Sequence, residues 1–313
     1  MNKRVWAMVA LWLFGQGAAN AQTQGENCPP AARYTPEVFA KAAQLASNRG
    51  FLWRIERDGR SSYLYGSLHV GKAEWMSPGP EMLTALREVD TVALEVDMSS
   101  AESQHEMADL YKLPQRSLPA ALHQRLERLW LAECLPLAGL ANGPVELQAY
   151  GLVALLGRRQ GFDPAYSSES MLTVWANSGK LPVVSLERIT SQLKLLMADT
   201  NAEAAEMVSA VLDQVEKPQS LATQEKLVGA WAKSDLSVLE RYVEWCECVV
   251  TEREQSDMKK LLDDRNPGLA DGIERLHASG QRVFAAVGAL HMTGPLALPS
   301  LLAARGFVVQ RVY

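Results

Sequence analysis

The chain has 313 residues, 48% of them hydrophobic and 21% charged, with a net charge of −5. That balance suits a globular protein long enough for one large α/β domain or two smaller ones. The acidic net charge, with no basic cluster, excludes an electrostatic footprint for nucleic acid and speaks against docking on anionic membranes.

In chain order, Lys3 and Arg4 precede an apolar stretch over residues 5–14, and Ala19-Asn20-Ala21 supplies a small-x-small cleavage pattern. This predicts a secretory signal peptide over residues 1–21 and a periplasmic or secreted mature protein. The apolar stretch is too short to span a bilayer, and the absence of a cysteine directly after the cleavage point speaks against a lipid anchor. Residues 22–50 read as a leader ending in a helix over 35–48. Residues 51–57 and 61–65 read as paired strands joined by the turn Asp58-Gly59, followed by Gly66-Ser67-Leu68-His69. A helix over 80–89 and a strand over 91–96 come next.

A mainly helical insertion follows, with apolar residues at helical spacing over 101–111, 119–135, 144–159 and 168–178. A strand over 181–186 ends in Glu187. Further helices are predicted over 189–216, 221–232, 236–248, 252–262 and 267–279. The apolar run Val283-Phe284-Ala285-Ala286-Val287 then leads into Gly288-Ala289-Leu290-His291, a helix over 296–305 and a last strand over 307–313.

One internal echo stands out. Strand, Gly-x-Leu-His, turn, helix, strand occurs over residues 62–96 and again over 282–313, suggesting a duplicated α/β core. A glycine at a strand end permits a sharp turn, and the carboxyl edge of a parallel sheet is where open α/β folds place ligands. His69, Glu95, Glu187 and His291 all sit at ends of predicted strands. Singly, each has a bland reading: a hydrogen-bonded surface histidine, or a solvated acid near a helix N-terminus, which fits Glu187 well. Together they would deliver two imidazoles and two carboxylates to one edge, a donor set suited to a divalent transition metal. A hydrolytic site also needs an open position for water and a group that takes its proton, a role open to glutamate. Spacing does not say which glutamate is ligand and which is base.

Rival chemistries are weaker. There is no Gly-x-Ser-x-Gly elbow, no His-Glu-x-x-His and no phosphate-cradling loop. Ser67 is a poor nucleophile candidate, since sequence neighbours rarely form a catalytic pair. His105, His123 and His277 lie in charge-rich helical stretches and read as surface residues. Asn266 reads as the N-cap ahead of Pro267, and Arg265 is free to reach a substrate carbonyl or carboxylate. Cys28, Cys134, Cys246 and Cys248 allow one or two disulfides in an exported protein, with pairing open. Cys246 and Cys248 fall in a predicted helix, where residues two apart point in different directions; a mutual bridge or a Cys-x-Cys chelate is not expected.

From Phe51 to the C-terminus the chain resembles the TraB/GumN family, which includes the Tiki proteins. The resemblance rests on Tyr63-Leu64-Tyr65-Gly66-Ser67-Leu68-His69, Val92-Ala93-Leu94-Glu95, Gly161-Phe162-Asp163, the stretch Gly179-Lys180-Leu181-Pro182-Val183-Val184-Ser185-Leu186-Glu187 with Gln192-Leu193, Arg265-Asn266, and Val283 through Gly294. Ser67 stands where that pattern often has Thr, and both offer a hydroxyl. The resemblance implies an α/β fold with a split central β-sheet built from two related halves and flanked by many helices, akin to erythromycin-esterase-like proteins. It implies a single domain over 51–313 with its helical insertion near 100–180. It further implies a metal-dependent hydrolase, in the Tiki branch a protease using Mn2+ or Co2+, with Zn2+ compatible. Carried over, His69, His291 and Glu95 form the metal and catalytic centre. Glu187 then serves as a second carboxylate or base, and Arg265 or Asn266 steadies a developing oxyanion. The expected partner is a peptide or protein substrate. Two further readings stand beside this one: a non-catalytic periplasmic binding or accessory protein on the same scaffold, and a metal-independent esterase using His69 or His291 as base.

Overall fold

A computed structural model describes residues 28–313 apart from Pro114 and Asn142; the signal-peptide reading of residues 1–21 lies outside the described residues. Helix α1 (Pro36–Gln44) starts where the Thr35 hydroxyl accepts the Val38 N–H. Strands β1 (Phe51–Arg57) and β2 (Arg60–Ser67) form an antiparallel hairpin. Its two-residue turn puts both Asp58 (φ 55°) and Gly59 (φ 68°) in the left-handed region, the geometry whose twist matches paired strands. Helix α2 (Pro80–Arg87) leads to β3 (Thr91–Leu94). The insertion supplies α3 (Ala101–Tyr111), α4 (Ala120–Ala132), α5 (Val145–Ala154) and α6 (Ser168–Gly179) before β4 (Val183–Ser185). Then come α7 (Ile189–Lys194), α8 (Asn201–Val215), α9 (Pro218–Ala232), α10 (Leu236–Glu240), α11 (Tyr242–Trp245), α12 (Glu252–Leu261) and α13 (Asn266–Ala278). The chain closes with β5 (Val283–Gly288), α14 (Leu298–Ala304) and β6 (Val308–Arg311).

The strands make one six-stranded sheet in the order β4-β3-β5-β2-β1-β6. Strands β4, β3, β5 and β2 run parallel, while β1 is antiparallel to both β2 and β6. The two echoing units are both present as strand, short turn, helix, strand, and they interleave, since β5 inserts between β2 and β3. Register is what aligns the motifs. Ser67 pairs with Gly288 and Leu94 with Ala286, and Leu94 also pairs with Ser185. Strand β5 is buried along its whole length, as expected for a central parallel strand covered on both faces. Helices α2, α6, α9, α13 and α14 pack apolar residues such as Leu86, Leu172, Trp231, Ile273 and Leu302 against the sheet. Each such burial contributes about 1.5–3 kcal/mol. A second apolar cluster, around Leu126, Trp130, Tyr150, Leu152, Val208 and Leu212, holds α4, α5 and α8 together. No helix among the described residues is long and apolar enough to cross a membrane.

Several sequence expectations are corrected. The helix predicted over 189–216 is two, because Thr200 starts α8 with a capping box to Glu203; the reciprocal bonds satisfy end donors that a continuous helix would not leave free. The helix predicted over 236–248 is two short ones broken at Arg241, α10 and α11, the second ending at Trp245, and Glu247 takes a left-handed φ of 52°. That turn points Cys246 and Cys248 at each other, and they form the disulfide that helical spacing argued against. The second bridge joins Cys28 to Cys134. Asn266 is not the N-cap: Arg265 holds that place without a side-chain cap bond, and Asn266 is inside α13. His277 is no surface residue but wholly buried, its Nδ1 2.9 Å from Ser62 Oγ and its Nε2 3.1 Å from the Arg57 carbonyl.

Candidate functional site

The sheet register delivers four of the sequence-selected residues to one carboxyl edge. Past the β3–β4 ladder, the Leu186 and Glu187 N–H groups donate to the carbonyls of Leu94 and Glu95. The continuation sets Glu187 beside Glu95. On the other side, Gly288 ends β5 and its N–H donates to Glu95 Oε1 at 2.6 Å. Gly288 is the hub. A Cβ placed there would lie 3.1 Å from Glu95 Oε1, 3.4 Å from His69 Nε2 and 3.6 Å from His291 Cδ2. The two motif histidines and the first glutamate therefore converge on one point, and only the absent side chain leaves it open.

Each imidazole is oriented through its other nitrogen. His69 Nδ1 lies 2.9 Å from Glu169 Oε1. Glu169 is in the first turn of α6, and that helix end is fastened to the His69 turn by Ser168. The Ser168 hydroxyl accepts the Leu68 N–H at 2.6 Å, and the Ser168 N–H donates to the Leu68 carbonyl at 2.9 Å. His291 sits in the short turn Ala289–Met292, and its Nδ1 is 2.5 Å from Asn266 Oδ1. The Asn266 amide is held in turn, donating to the Leu296 carbonyl at 2.8 Å. An amide oxygen accepts only, so the His291 proton is on Nδ1 and the Nε2 lone pair faces the site.

Arg265 ties the carboxylates together. Its Nη2 donates to Glu95 Oε2 at 2.6 Å and also to Glu187 Oε1, and its Nη1 donates to the Leu261 carbonyl at 2.9 Å. Nη1 also lies 3.3 Å from His291 Nε2. Gln192 Nε2 bridges the same two acids, 2.8 Å from each.

This network sets the charges. Burial opposes ionisation of Glu95, but Arg265 and the two histidines outweigh it and hold its pKa at about 2. Glu187 gains less: burial prevails over the Arg265 contact and raises its pKa from its ordinary value. Burial would push His69 down, yet Glu169, with Glu95 adding to it, raises it to about 9. His291 goes the other way, lowered to about 3 mainly by burial, with Arg265 and His69 adding to the fall. The site thus holds an ionised Glu95, a Glu187 whose proton affinity is increased, an imidazolium at His69 and a neutral imidazole at His291.

Of the residues singled out in the sequence, His69, His291, Glu95, Glu187 and Arg265 meet here, and Asn266 reaches the site through His291. Ser67 is near but buried. His105 and His123 are exposed and apart from it. Sequence reasoning missed Glu169, whose position at a helix start reads as an ordinary first-turn acid; its one signal is that it stands among Ser167 and Ser168. Gln192 was visible only as part of a motif, without a role.

Among the described residues no group of three or more His, Cys, Asp or Glu side chains is arranged to hold a metal ion. The donor chemistry nevertheless fits one. Two imidazoles have Nδ1 occupied by a carboxylate and an amide, the outer partners that orient metal-binding histidines, and both approach the Gly288 point alongside Glu95. Arg265 competes for it, because its Nη1 abuts His291 Nε2.

No curated protein and no solved structure matches the chain. The TraB/PrgY/gumN family matches residues 51–311, from the first strand to the last. That span contains every side chain of the site, and the chain belongs to the TraB/PrgY/gumN family.

Proposed function

We propose that the chain is a metal-dependent hydrolase, a peptidase in the first instance, exported to the periplasm or beyond the cell. The observation that supports this reading is the convergence of His69 Nε2, Glu95 Oε1 and the Cδ2 edge of the His291 ring on Gly288. His69, His291 and Glu95 would hold a divalent ion, Mn2+ or Co2+ in preference, with Zn2+ suited to the same donors. When bound, the ion supplies Lewis-acid activation of water and of the scissile carbonyl. The chain supplies the rest. Glu187, whose proton affinity burial increases, takes the proton of the attacking water as general base. Arg265 is held by two carboxylates and offers a positive charge for the oxygen that gains charge in the transition state. Gln192 donates to both Glu95 and Glu187 and holds the two carboxylates in place. Binding through His291 requires the Arg265 Nη1 group to withdraw from its ring.

Arg265 also favours a second reading. Its guanidinium already lies against Glu95, Glu187 and His291, so the site contains its own cation, and hydrolysis would run without metal on the His69–Glu169 pair.

Elemental analysis of the purified mature protein beside a His69→Ala/His291→Ala double variant tests both, together with hydrolysis of a peptide library with and without chelator. The expected result is about one equivalent of metal, lost in the variant, and chelator-sensitive cleavage. Cleavage that survives chelator and is lost in His69→Ala rejects the metal reading for the second. No metal and no cleavage, with peptide capture intact in the double variant, rejects both in favour of a binding protein.

A further inference from the structure

The disulfide Cys246–Cys248 lies far in sequence from the motif histidines and does something a staple does not. Its partners are two residues apart, whereas Cys28 and Cys134 are 106 apart. The chain entropy removed by a cross-link grows with the loop it closes, so the short bridge constrains the unfolded chain little. What it does instead is fix a local turn. The apolar spacing of residues 236–248 is helical, yet the chain leaves the helix after Trp245 and Glu247 is held at a φ of 52°, a region disfavoured for any residue but glycine.

Both sulfur-bearing residues line a cavity of about 180 Å³, together with Gln214, Lys217, Ser220, Thr223 and Glu247. The two sulfurs differ in surroundings. Cys248 Sγ is 3.4 Å from the Tyr242 hydroxyl, which donates to it, and the Cys248 N–H lies 3.1 Å from Cys246 Sγ. Lys217 brings a positive charge to the cavity and Glu247 a negative one.

We propose that Cys246–Cys248 is a thiol–disulfide exchange site whose substrate is a small peptidyl thiol bearing a carboxylate. The thiol enters the cavity with its carboxylate toward Lys217, and its thiolate attacks Cys246 Sγ. A bond forms between the two sulfurs as the Cys246–Cys248 bond breaks. The electron pair leaves on Cys248, where the Tyr242 hydroxyl stabilises the thiolate until it takes up a proton. A second thiolate of the same kind attacks the mixed disulfide and releases Cys246. Two thiols are thereby oxidised to one disulfide, and the cysteine pair is reduced to two thiols.

The test uses the full mature chain with reduced glutathione, and 2-mercaptoethanol as an uncharged control. Samples are quenched, alkylated and peptide-mapped over time while circular dichroism follows the fold. The expected result is alkylation of Cys246 and Cys248 in protein that stays folded, and a Lys217→Gln variant in which glutathione reacts about two- to fivefold more slowly while mercaptoethanol is unaffected. Opening only in denaturant overturns the proposal. So does a Lys217→Gln variant that leaves the ratio of the two rates unchanged, since the cavity then plays no part in recognising the thiol.

Discussion

The two Gly-x-x-His turns leave adjacent parallel strands at the same sheet edge, and the structure gives them opposite protonation. His69 faces the Glu169 carboxylate and is raised to about 9; His291 faces the Asn266 amide and is lowered to about 3. Burial acts downward on both rings; at His69 the Glu169 and Glu95 carboxylates outweigh it, whereas at His291 burial, with Arg265 and His69 adding to it, prevails over Glu95. A repeated motif has become a proton-carrying imidazolium and a lone-pair donor, and neither role is written in the motif itself. Under the proposed hydrolysis, loading the site with metal at neutral pH must release a proton from His69 and none from His291.

The largest effect comes from closing the point the two rings share. Gly288 has φ −46° and ψ 137°, open to any residue, so a side chain there meets the site and not the backbone. Gly288→Val is expected to fold, to lose metal uptake and to lower hydrolysis by at least about 10²–10³-fold, the scale of losing a preorganised charge contact. The checks are elemental analysis, turnover and circular dichroism on one preparation. Wild-type metal content and turnover in a folded Gly288→Val protein would break the idea of a shared point.

The next effect is to make His69 resemble its counterpart. Glu169→Gln keeps an acceptor for Nδ1 and removes the charge. In chelator-treated protein the folded pKa of about 9 stands above the ordinary value of 6.5. The pair's contribution is therefore complete below about pH 6.5 and is lost as pH rises through about 9. It amounts to about 3 kcal/mol at most, and less in practice because the His69 side chain is 21% exposed. Wild-type urea midpoints should fall between pH 6 and 9.5, while those of Glu169→Gln should start lower and change little. Activity should fall about 10–100-fold, as for other outer partners of metal-binding histidines. A variant whose midpoints still track pH over that window would show that Glu169 is not what holds the proton.

How much of this was legible in the sequence follows from which interactions are local. Strand ends and helix starts are set by near neighbours, so the hairpin at Asp58-Gly59 and the strands bearing Glu95, Glu187 and both histidines could be placed, and parallel pairing then implies a common edge. Glu169 could not be found that way, because it reaches His69 from a helix separated by the first part of the insertion, and nothing near it marks it as buried. Asn266 was legible as a helix-start residue but not as the partner of His291, which depends on how α13 docks beside β5. The Cys246–Cys248 bridge overturns the reading of residues 236–248 as helix: the apolar spacing is helical, but the chain turns at Glu247 and brings the two cysteines together. His277 shows the same limit in reverse, since a charge-rich helix still presents one face to the sheet.

The smallest change is the converse exchange, Asn266→Asp, which places a carboxylate against His291. The pKa of His291 should rise by about 1–2 units, the usual effect of an opposite charge in contact, as followed by NMR titration of the ring. Two things keep it from reaching the His69 value. Arg265 Nη1 stays 3.3 Å from His291 Nε2 and opposes a second positive charge there, and His69 is itself charged below about 9. The substitution also removes the donor to the Leu296 carbonyl, at a stability cost of about 1–3 kcal/mol, so the titration must be read on protein shown to be folded. If His291 does not move, its low value belongs to burial, Arg265 and His69, and Asn266 only aims the ring. If it moves while Glu169→Gln lowers His69, the two partners act together with burial and Arg265 to make one motif, used twice, yield one ring that carries a proton and one that does not.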